Sequence, residues 1–326
     1  LRENSCAAGC WQARPLAHPL RRPENKRPDR LCGGTTTGAA AKARNNPTML
    51  SEKAYLHEVF SGIQGEGPLV GARQIFLRFC GCNLACRFCD TPESRGAAQH
   101  CSIEKIAGRR EWYFVSNPLL PESLERLLVS SRFFEIPHHS ISLTGGEPLV
   151  QVDFLAEALP ILRAHLPIYL ESNGTLPEAL AKVLPHLDFI AMDIKLPSAA
   201  QISEHFSVHK EFLTLCRGAG FEVVGRGFTL SRAEGCHPPP DFLFVKIVVT
   251  ADTQEEELLW AFSTVAEVDP EIEVILQPVS QVSGARDRGP AKHPTPQQVL
   301  RWQEMGLKRL RQVRVIPQIH RLMGQL

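Results

Sequence analysis

From residue 49 onward, short apolar runs of β-like composition alternate with stretches whose apolar residues recur at helical spacing. The runs fall at 75–79, 140–143, 167–171, 189–194, 242–249, 273–276 and 313–316. Amphipathic stretches lie between several of them, at 153–165, 177–184, 202–216, 253–268 and 295–303. Strand–helix alternation of this kind predicts βαβ units and a parallel sheet, hence an α/β fold. A parallel set of about six strands can curl into a partial (β/α) barrel, and the candidate polar residues follow the strands at their C-terminal ends, where barrel chemistry sits. Two stretches resist this reading. Residues 94–137 hold the turn-like Ser116-Asn117-Pro118 and a helix near 122–131, and are expected to cover one edge of the barrel. Residues 217–241 carry five glycines and Pro238-Pro239-Pro240, and read as a long loop or hairpin.

Residues 1–48 stand apart. They contain five prolines and the small-residue run 33–41, without hydrophobic periodicity, and read as disordered. The first Met is Met49. The expectation is therefore a disordered or non-native N-terminal extension over 1–48 and one catalytic domain over 49–326. The extension's Arg-rich, acid-poor composition could suit an organelle transit peptide, but its prolines break any amphipathic helix.

The net charge of +1 hides an asymmetry, since residues 1–48 hold nine Lys/Arg against three acidic residues and leave the rest of the chain at −5. That mildly acidic remainder has no basic footprint for nucleic acid. No apolar run approaches the roughly 18 residues of a membrane span. The ten cysteines are too scattered for a disulfide scaffold, and their tightest group favours a reducing compartment, so a cytoplasmic location is expected.

That group organises the chain. Cys82, Cys86 and Cys89 fall within eight residues as C-x3-C-x2-C, on a loop that follows the run 75–79. Upstream lies the glycine-rich turn Ile63-Gln64-Gly65-Glu66-Gly67. Soft thiolates select zinc, Cu(I) or iron–sulfur clusters. Structural zinc wants four closed ligands, and the nearest fourth candidates, Cys80, Cys101 and His100, are poorly placed. A [4Fe–4S] cluster on three cysteines leaves one iron open and chemically useful. Zinc and three unligated thiols remain the alternatives.

The C-x3-C-x2-C spacing, with the aromatic Phe88 before its last cysteine, resembles the signature of the radical S-adenosylmethionine superfamily. The pairing of FSGIQGEG with that loop, Asp90-Thr91 after it, and the downstream Thr144-Gly145-Gly146-Glu147-Pro148 and Glu171-Ser172-Asn173-Gly174-Thr175 is similar to the 7-carboxy-7-deazaguanine synthase family. The resemblance runs from about Tyr55 to the C-terminus. It implies a partial barrel of the radical S-adenosylmethionine type, a [4Fe–4S] cluster on Cys82, Cys86 and Cys89, and one-electron cleavage of S-adenosylmethionine to a 5′-deoxyadenosyl radical. It further implies ring contraction of 6-carboxy-5,6,7,8-tetrahydropterin to 7-carboxy-7-deazaguanine with loss of ammonia, on the way to deazapurines such as queuosine. An electron donor of the flavodoxin or ferredoxin kind and a homodimer belong to the same expectation.

Residue by residue, the resemblance carries further. Phe88, Asp90 and Gly146 would contact the cofactor, Ser172 its ribose, Asp193 and Lys195 its ribose or carboxylate, and Gln277, Pro278, Val279 and Ser280 its adenine. Thr144, Gln64 and the Ile63–Gly65 backbone would contact the pterin. Thr91 would share Mg²⁺ with the substrate carboxylate. Read without the resemblance, the same residues are a tight turn at 144–148, a turn and helix cap at 171–177, a solvated Lys195 and a turn at Thr91. Arg78 is the sharpest residue, since it sits among Ile75, Leu77 and Phe79 and a buried arginine needs a partner. That partner is either an internal acid, such as Glu66, or a substrate carboxylate gripped by the planar guanidinium, and the resemblance implies the second. His320 reads as a core or cap histidine and stays outside the expected site. Two rivals remain: a glycyl-radical activating enzyme, which shares the cysteine loop but does not demand Gln64, Arg78 and the IQGEG turn together, and a non-catalytic zinc or iron–sulfur binding module.

Overall fold

The computed structural model describes residues 52–87, 89–200, 202–223, 242–280 and 291–324. The expectations for residues 1–48, for Phe88 and for 224–241 lie outside the described residues. In chain order the elements are β1 (Leu56–Ile63), β2 (Arg73–Phe79), β3 (His100–Glu104), β4 (Trp112–Ser116), α1 (Pro121–Ser130), β5 (Ile141–Gly145), α2 (Val152–Arg163), β6 (Ile168–Ser172), α3 (Pro177–Val183) and β7 (Phe189–Ile194). There follow α4 (Pro197–Ala200), α5 (Phe206–Gly218), β8 (Glu222–Val223), β9 (Phe242–Val249), α6 (Glu255–Val268), β10 (Glu273–Pro278), α7 (Pro296–Leu307), β11 (Val313–Val315) and α8 (Ile319–Leu322).

The strands form one sheet in the order β11-β10-β9-β7-β6-β5-β2-β1-β3-β4, with β8 pairing β9 off this path. From β2 through β5, β6, β7, β9 and β10 to β11 every pairing is parallel. This is the expected α/β sheet, open at both ends. Each of its seven expected strands is present, with ends shifted by at most two residues. The central strands read as continuous apolar runs because both faces are covered, as in β7, where all of Phe189–Ile194 is buried.

The two faces carry different loads. Outside, helices pack on the large core that holds Leu143, Leu170, Ile190, Val245 and Leu276. Inside, Tyr169, Phe189, Ala191, Phe242, Phe244 and Ile275 form a second apolar cluster, closed by Leu69 and Ala72 from the β1–β2 connection. Strand side chains repeat every two residues on one face. The interior positions just beyond that floor are therefore Glu171 on β6, Asp193 on β7, Lys246 on β9 and Gln277 on β10. Register pairs Asp193 with Lys246 and Arg78 with Thr144, while Glu171 lies one inward step lower, opposite Ala191, and Gln277 one step higher, opposite Val248. A polar layer thus rests on an aromatic floor.

Residues 94–137 do more than cover an edge. They add β3, parallel to β1, and β4, antiparallel to β3, so the sheet extends beyond β1. β4 is an outer strand whose Phe114 is 68% exposed, so it lacks the alternation that marks a half-buried strand. β1 is likewise unmarked, because it is buried at Val59 to Gly62 without alternation. The helix expected from residue 202 begins at Phe206, where the Glu204 carboxylate accepts the Phe206 N–H at 2.9 Å.

His209 on α5 ties the helical layer to the turn after β6. Its Nε2–H donates to the Asn173 carbonyl at 3.0 Å, while Nδ1 is buried without a partner. Burial pulls its pKa down to about 4, outweighing the Asn173 bond. A histidine depressed in the folded state contributes stability that is full above the unfolded pKa and is lost as pH falls through the folded one. Urea unfolding between about pH 7 and pH 4 should show a loss from this group of at most about 3 kcal/mol. His209→Gln should remove that component; an unchanged acid-side slope in the variant contradicts the assignment.

Candidate active site

The C-terminal ends of the strands, the cysteine loop and the segment around α8 enclose a cavity of about 330 Å³. Cys82, Cys86 and Cys89 line it together. Cys86 is buried, and the other two are partly exposed at the mouth. Burial pushes the Cys82 and Cys86 thiols up, each feels its neighbouring cysteines, and Lys195 pulls them part of the way back. The loop is held from behind: Gly81 N–H donates to Ser94 O at 2.7 Å, and Arg87 N–H to Ala200 O at 2.8 Å.

The Thr144–Pro148 turn docks directly on this loop. Gly146 N–H donates to Phe79 O at 3.0 Å and Glu147 N–H to Gly81 O at 2.8 Å. A Cβ on Gly146 would overlap the Gly81 carbonyl, and Gly145 has φ +113°, so both glycines are required by close approach and conformation. Glu147 is buried and accepts from Asn173 N–H at 2.7 Å, Leu149 N–H at 3.1 Å and Ser172 Oγ–H at 3.0 Å. Burial still pushes its carboxyl up to about 7, against those donors and Lys195. Ser172 and Asn173 thereby stay beside the cysteines.

A line of charges crosses the cavity floor. Lys195 Nζ donates to Asp193 Oδ2 at 2.7 Å, and Lys246 Nζ reaches the same oxygen at 3.0 Å. Lys246 also donates to Glu66 Oε2. Glu66 Oε1 accepts from Gln277 Nε2 at 3.0 Å and Gln318 Nε2 at 2.8 Å. Burial alone would push the Glu66 carboxyl up, but Lys246, Gln318 and His320 bring it down to about 2. Burial would likewise pull Lys246 down, but Asp193, Glu66 and Glu171 hold it well above the usual lysine range. Two acceptors in this wall are buried without a partner among the described residues, Asp193 Oδ1 and Gln277 Oε1.

Arg78 has its internal partner, but it is Glu58 and not Glu66. Arg78 Nε donates to Glu58 Oε1 at 2.6 Å across the β1–β2 pairing, in which the two residues face each other. Both side chains are nearly buried, at 12% and 15% exposed, and both line the cavity. The bond to Nε fixes the guanidinium while using one edge of it. Gln64 is also internally engaged: Nε2 donates to Gln74 Oε1 at 3.1 Å and Glu171 Oε1 at 2.9 Å, and Oε1 accepts Glu66 N–H at 3.0 Å. Thr144 Oγ1 donates to Glu171 Oε2 at 2.7 Å. Thr91 precedes a 3-10 turn at Pro92–Arg95 without a side-chain capping bond, so its hydroxyl is not used there.

Of the residues expected from the sequence, Ile63, Gln64, Gly65, Arg78, Asp90, Thr91, Thr144, Gly146, Ser172, Asp193, Lys195, Gln277, Val279 and Ser280 line this one cavity with the three cysteines. Pro278 does not; it is buried at the end of β10 between two residues that do. Glu58, Glu66, Glu171, Lys246, Gln318 and His320 line it although none of them was among the expected site residues. His320 packs against Gly65, and Ile319 N–H donates to Gly65 O at 2.9 Å, so the C-terminal segment closes over the IQGEG turn. Ligand atoms of Glu66, Asp90 and His320 lie within 4.8 Å of one another. Lys246, Gln277 and Gln318 already occupy the Glu66 oxygens, so this trio is a hydrogen-bonded cluster first.

A three-thiol loop at the ends of parallel strands, beside a walled polar cavity, fits the class of iron–sulfur enzymes that work on S-adenosylmethionine. The family model of the Radical SAM superfamily matches residues 77–259. The 7-carboxy-7-deazaguanine synthase of Geobacter sulfurreducens is 40% identical over 274 residues, covering 84% of this chain and 98% of that protein. That of Methanothermobacter thermautotrophicus is 43% identical over 49% of this chain and 54% of its own, and that of Methanocaldococcus jannaschii 27% identical over 83% and 100%. The chain belongs to the 7-carboxy-7-deazaguanine synthase family of the radical S-adenosylmethionine superfamily.

The family implies a [4Fe–4S] cluster and S-adenosylmethionine. The residues present fit both. Three thiols on one loop leave an iron open, and Asp193 Oδ1 and Gln277 Oε1 offer unclaimed acceptors to hydroxyl or amino groups in the adjoining space. After anaerobic reconstitution, Cys82→Ala, Cys86→Ala and Cys89→Ala should each lose the iron–sulfur absorbance and bound iron. Cys80→Ala and Cys101→Ala, at buried positions behind the loop, should keep both. Full iron loading in any of the first three variants contradicts the ligand set.

Proposed function

We propose that this enzyme converts 6-carboxy-5,6,7,8-tetrahydropterin to 7-carboxy-7-deazaguanine with loss of ammonia, a step toward deazapurines such as queuosine. The observation that carries the reading is Arg78, a nearly buried guanidinium braced by Glu58 in the same cavity as the three cysteines. A braced planar fork suits a carboxylate better than a flexible ammonium would. The Geobacter sulfurreducens relative supports the same product through its name.

When bound, the cluster and S-adenosylmethionine supply one-electron cleavage of the cofactor and hydrogen abstraction from the substrate. The chain's own residues bind, orient and enclose. Asp193, Lys195, Ser172, Gln277, Val279 and Ser280 face the cofactor, with the Gly146 backbone beside the cysteine loop. Arg78 grips the substrate carboxylate, and the Thr91 hydroxyl, a hard oxygen ligand, would hold Mg²⁺ beside it, an ion that takes few protein ligands. Thr144, Gln64 and the Ile63–Gly65 backbone hold the pterin, with Glu171 positioned between Gln64 and Thr144. The enzyme works in the cytoplasm as a homodimer, and its electrons come from a flavodoxin- or ferredoxin-type donor. The exposed Asn83 and Ala85 leave the cysteine loop approachable from outside.

The test is anaerobic incubation of reconstituted enzyme with S-adenosylmethionine, Mg²⁺, dithionite and the carboxypterin. Production of 7-carboxy-7-deazaguanine and ammonia is expected; release of 5′-deoxyadenosine with the pterin unchanged overturns the reading. Arg78→Lys should weaken carboxypterin binding by about 2–5 kcal/mol while leaving S-adenosylmethionine binding intact. If both ligands weaken alike, Arg78 serves the fold rather than the substrate.

A further inference from the structure

We infer that Lys246 is a positioning residue that couples the cofactor side of the cavity to the substrate side, so that each ligand tightens the other's binding. The inference rests on the functional reading above and names a role that reading does not contain. Lys246 comes from the middle of β9, which is otherwise apolar along Phe242–Val249. Its ammonium joins two carboxylates from opposite walls, Asp193 at 3.0 Å and Glu66.

Each carboxylate is the end of a chain of contacts. On one side, Asp193 Oδ2 receives both Lys195 and Lys246, and Oδ1 is buried and unpartnered. A donor on the cofactor that reaches Oδ1 fixes the carboxylate plane and with it the bond to Lys246. On the other side, Glu66 belongs to the IQGEG turn, and its N–H donates to Gln64 Oε1 at 3.0 Å. Its Oε1 gathers Gln277 and Gln318, the latter from the segment that closes over that turn. Ordering Asp193 therefore orders Lys246, Glu66 and the turn that faces the pterin. The ligand that binds second meets a wall already set, and linkage makes the effect equal in both directions.

The experiment uses iron-loaded enzyme without reductant, so that nothing turns over. Calorimetric titrations give the Kd of S-adenosylmethionine with and without the carboxypterin, and the Kd of the carboxypterin with and without S-adenosylmethionine. In the wild type each ligand should tighten the other by about 5- to 50-fold, the ordinary range of coupling between sites. In Lys246→Met the two ratios should fall to within about twofold of one. That variant leaves two acids without their shared cation and can fail to fold, so the pair Lys246→Met/Glu66→Gln, which removes one charge of each sign, is measured beside it with the same expectation. A merely structural lysine would weaken both ligands while leaving the ratio unchanged, and that result overturns the inference. So does a wild type that binds both ligands without coupling, although the substrate reading then stands. A wild type that binds S-adenosylmethionine but no carboxypterin overturns the substrate reading and the coupling with it.

Discussion

Lys246 lies 12% exposed between the carboxylates of Glu66 and Asp193, on a floor made of Tyr169, Phe189, Phe242, Phe244 and Ile275. Charges so placed are tolerated only when each is answered by another and the remaining lone pairs are hydrogen-bonded. Here Lys195, Gln277 and Gln318 supply those bonds, and of the two carboxylates only Asp193 Oδ1 is left without one among the described residues. Removing one partner of such a group typically costs about 3–5 kcal/mol, because the other is left buried and unpaired. The arrangement therefore binds three parts of the chain that are far apart in sequence: the IQGEG turn, the end of β7 with the middle of β9, and the C-terminal segment.

The rest of the cavity follows from where that layer sits. Parallel pairing brings Asp193 and Lys246 to the same height, with Glu171 one inward step below and Gln277 one above, each beyond an apolar residue two positions earlier. The glycine pair at Gly145-Gly146 lets the next turn lie against the cysteine loop, so the thiols stand at the mouth and the charged line stands beneath. Arg78 enters from β2 already braced by Glu58.

Much of this was legible beforehand, and the exceptions have physical causes. Strands buried on both faces announce themselves as apolar runs, so the parallel core from β2 to β11 was readable. β1, β3 and β4 were not, since β4 exposes Phe114 and β1 shows no alternation. Three cysteines on one loop point to soft-metal chemistry through their spacing, and the family resemblance selects the iron–sulfur cluster over zinc. Lys246 could not be read, because its partner Glu66 is 180 residues away and a single lysine in an apolar strand has no local meaning. Glu58 was hidden because its pairing with Arg78 depends on the β1–β2 register, which shifts between Leu56 and Glu58. Gln318 and His320 gain a role only when the C-terminal segment returns over Gly65.

The central claim is that Glu66 is held as an anion inside the cavity by Lys246. A carboxyl depressed in the folded state contributes stability that is present above its unfolded pKa and lost as pH falls through its folded one, here from 4.5 toward about 2. The direct measurement is a ¹³C NMR titration of the glutamate side-chain carboxyls, with the Glu66 resonance assigned by its loss in Glu66→Gln. The account predicts that between about pH 7 and pH 3.5 the Glu66 carboxyl keeps its ionised shift while exposed glutamates titrate around their ordinary values. A Glu66 midpoint at or above the ordinary glutamate value would contradict it.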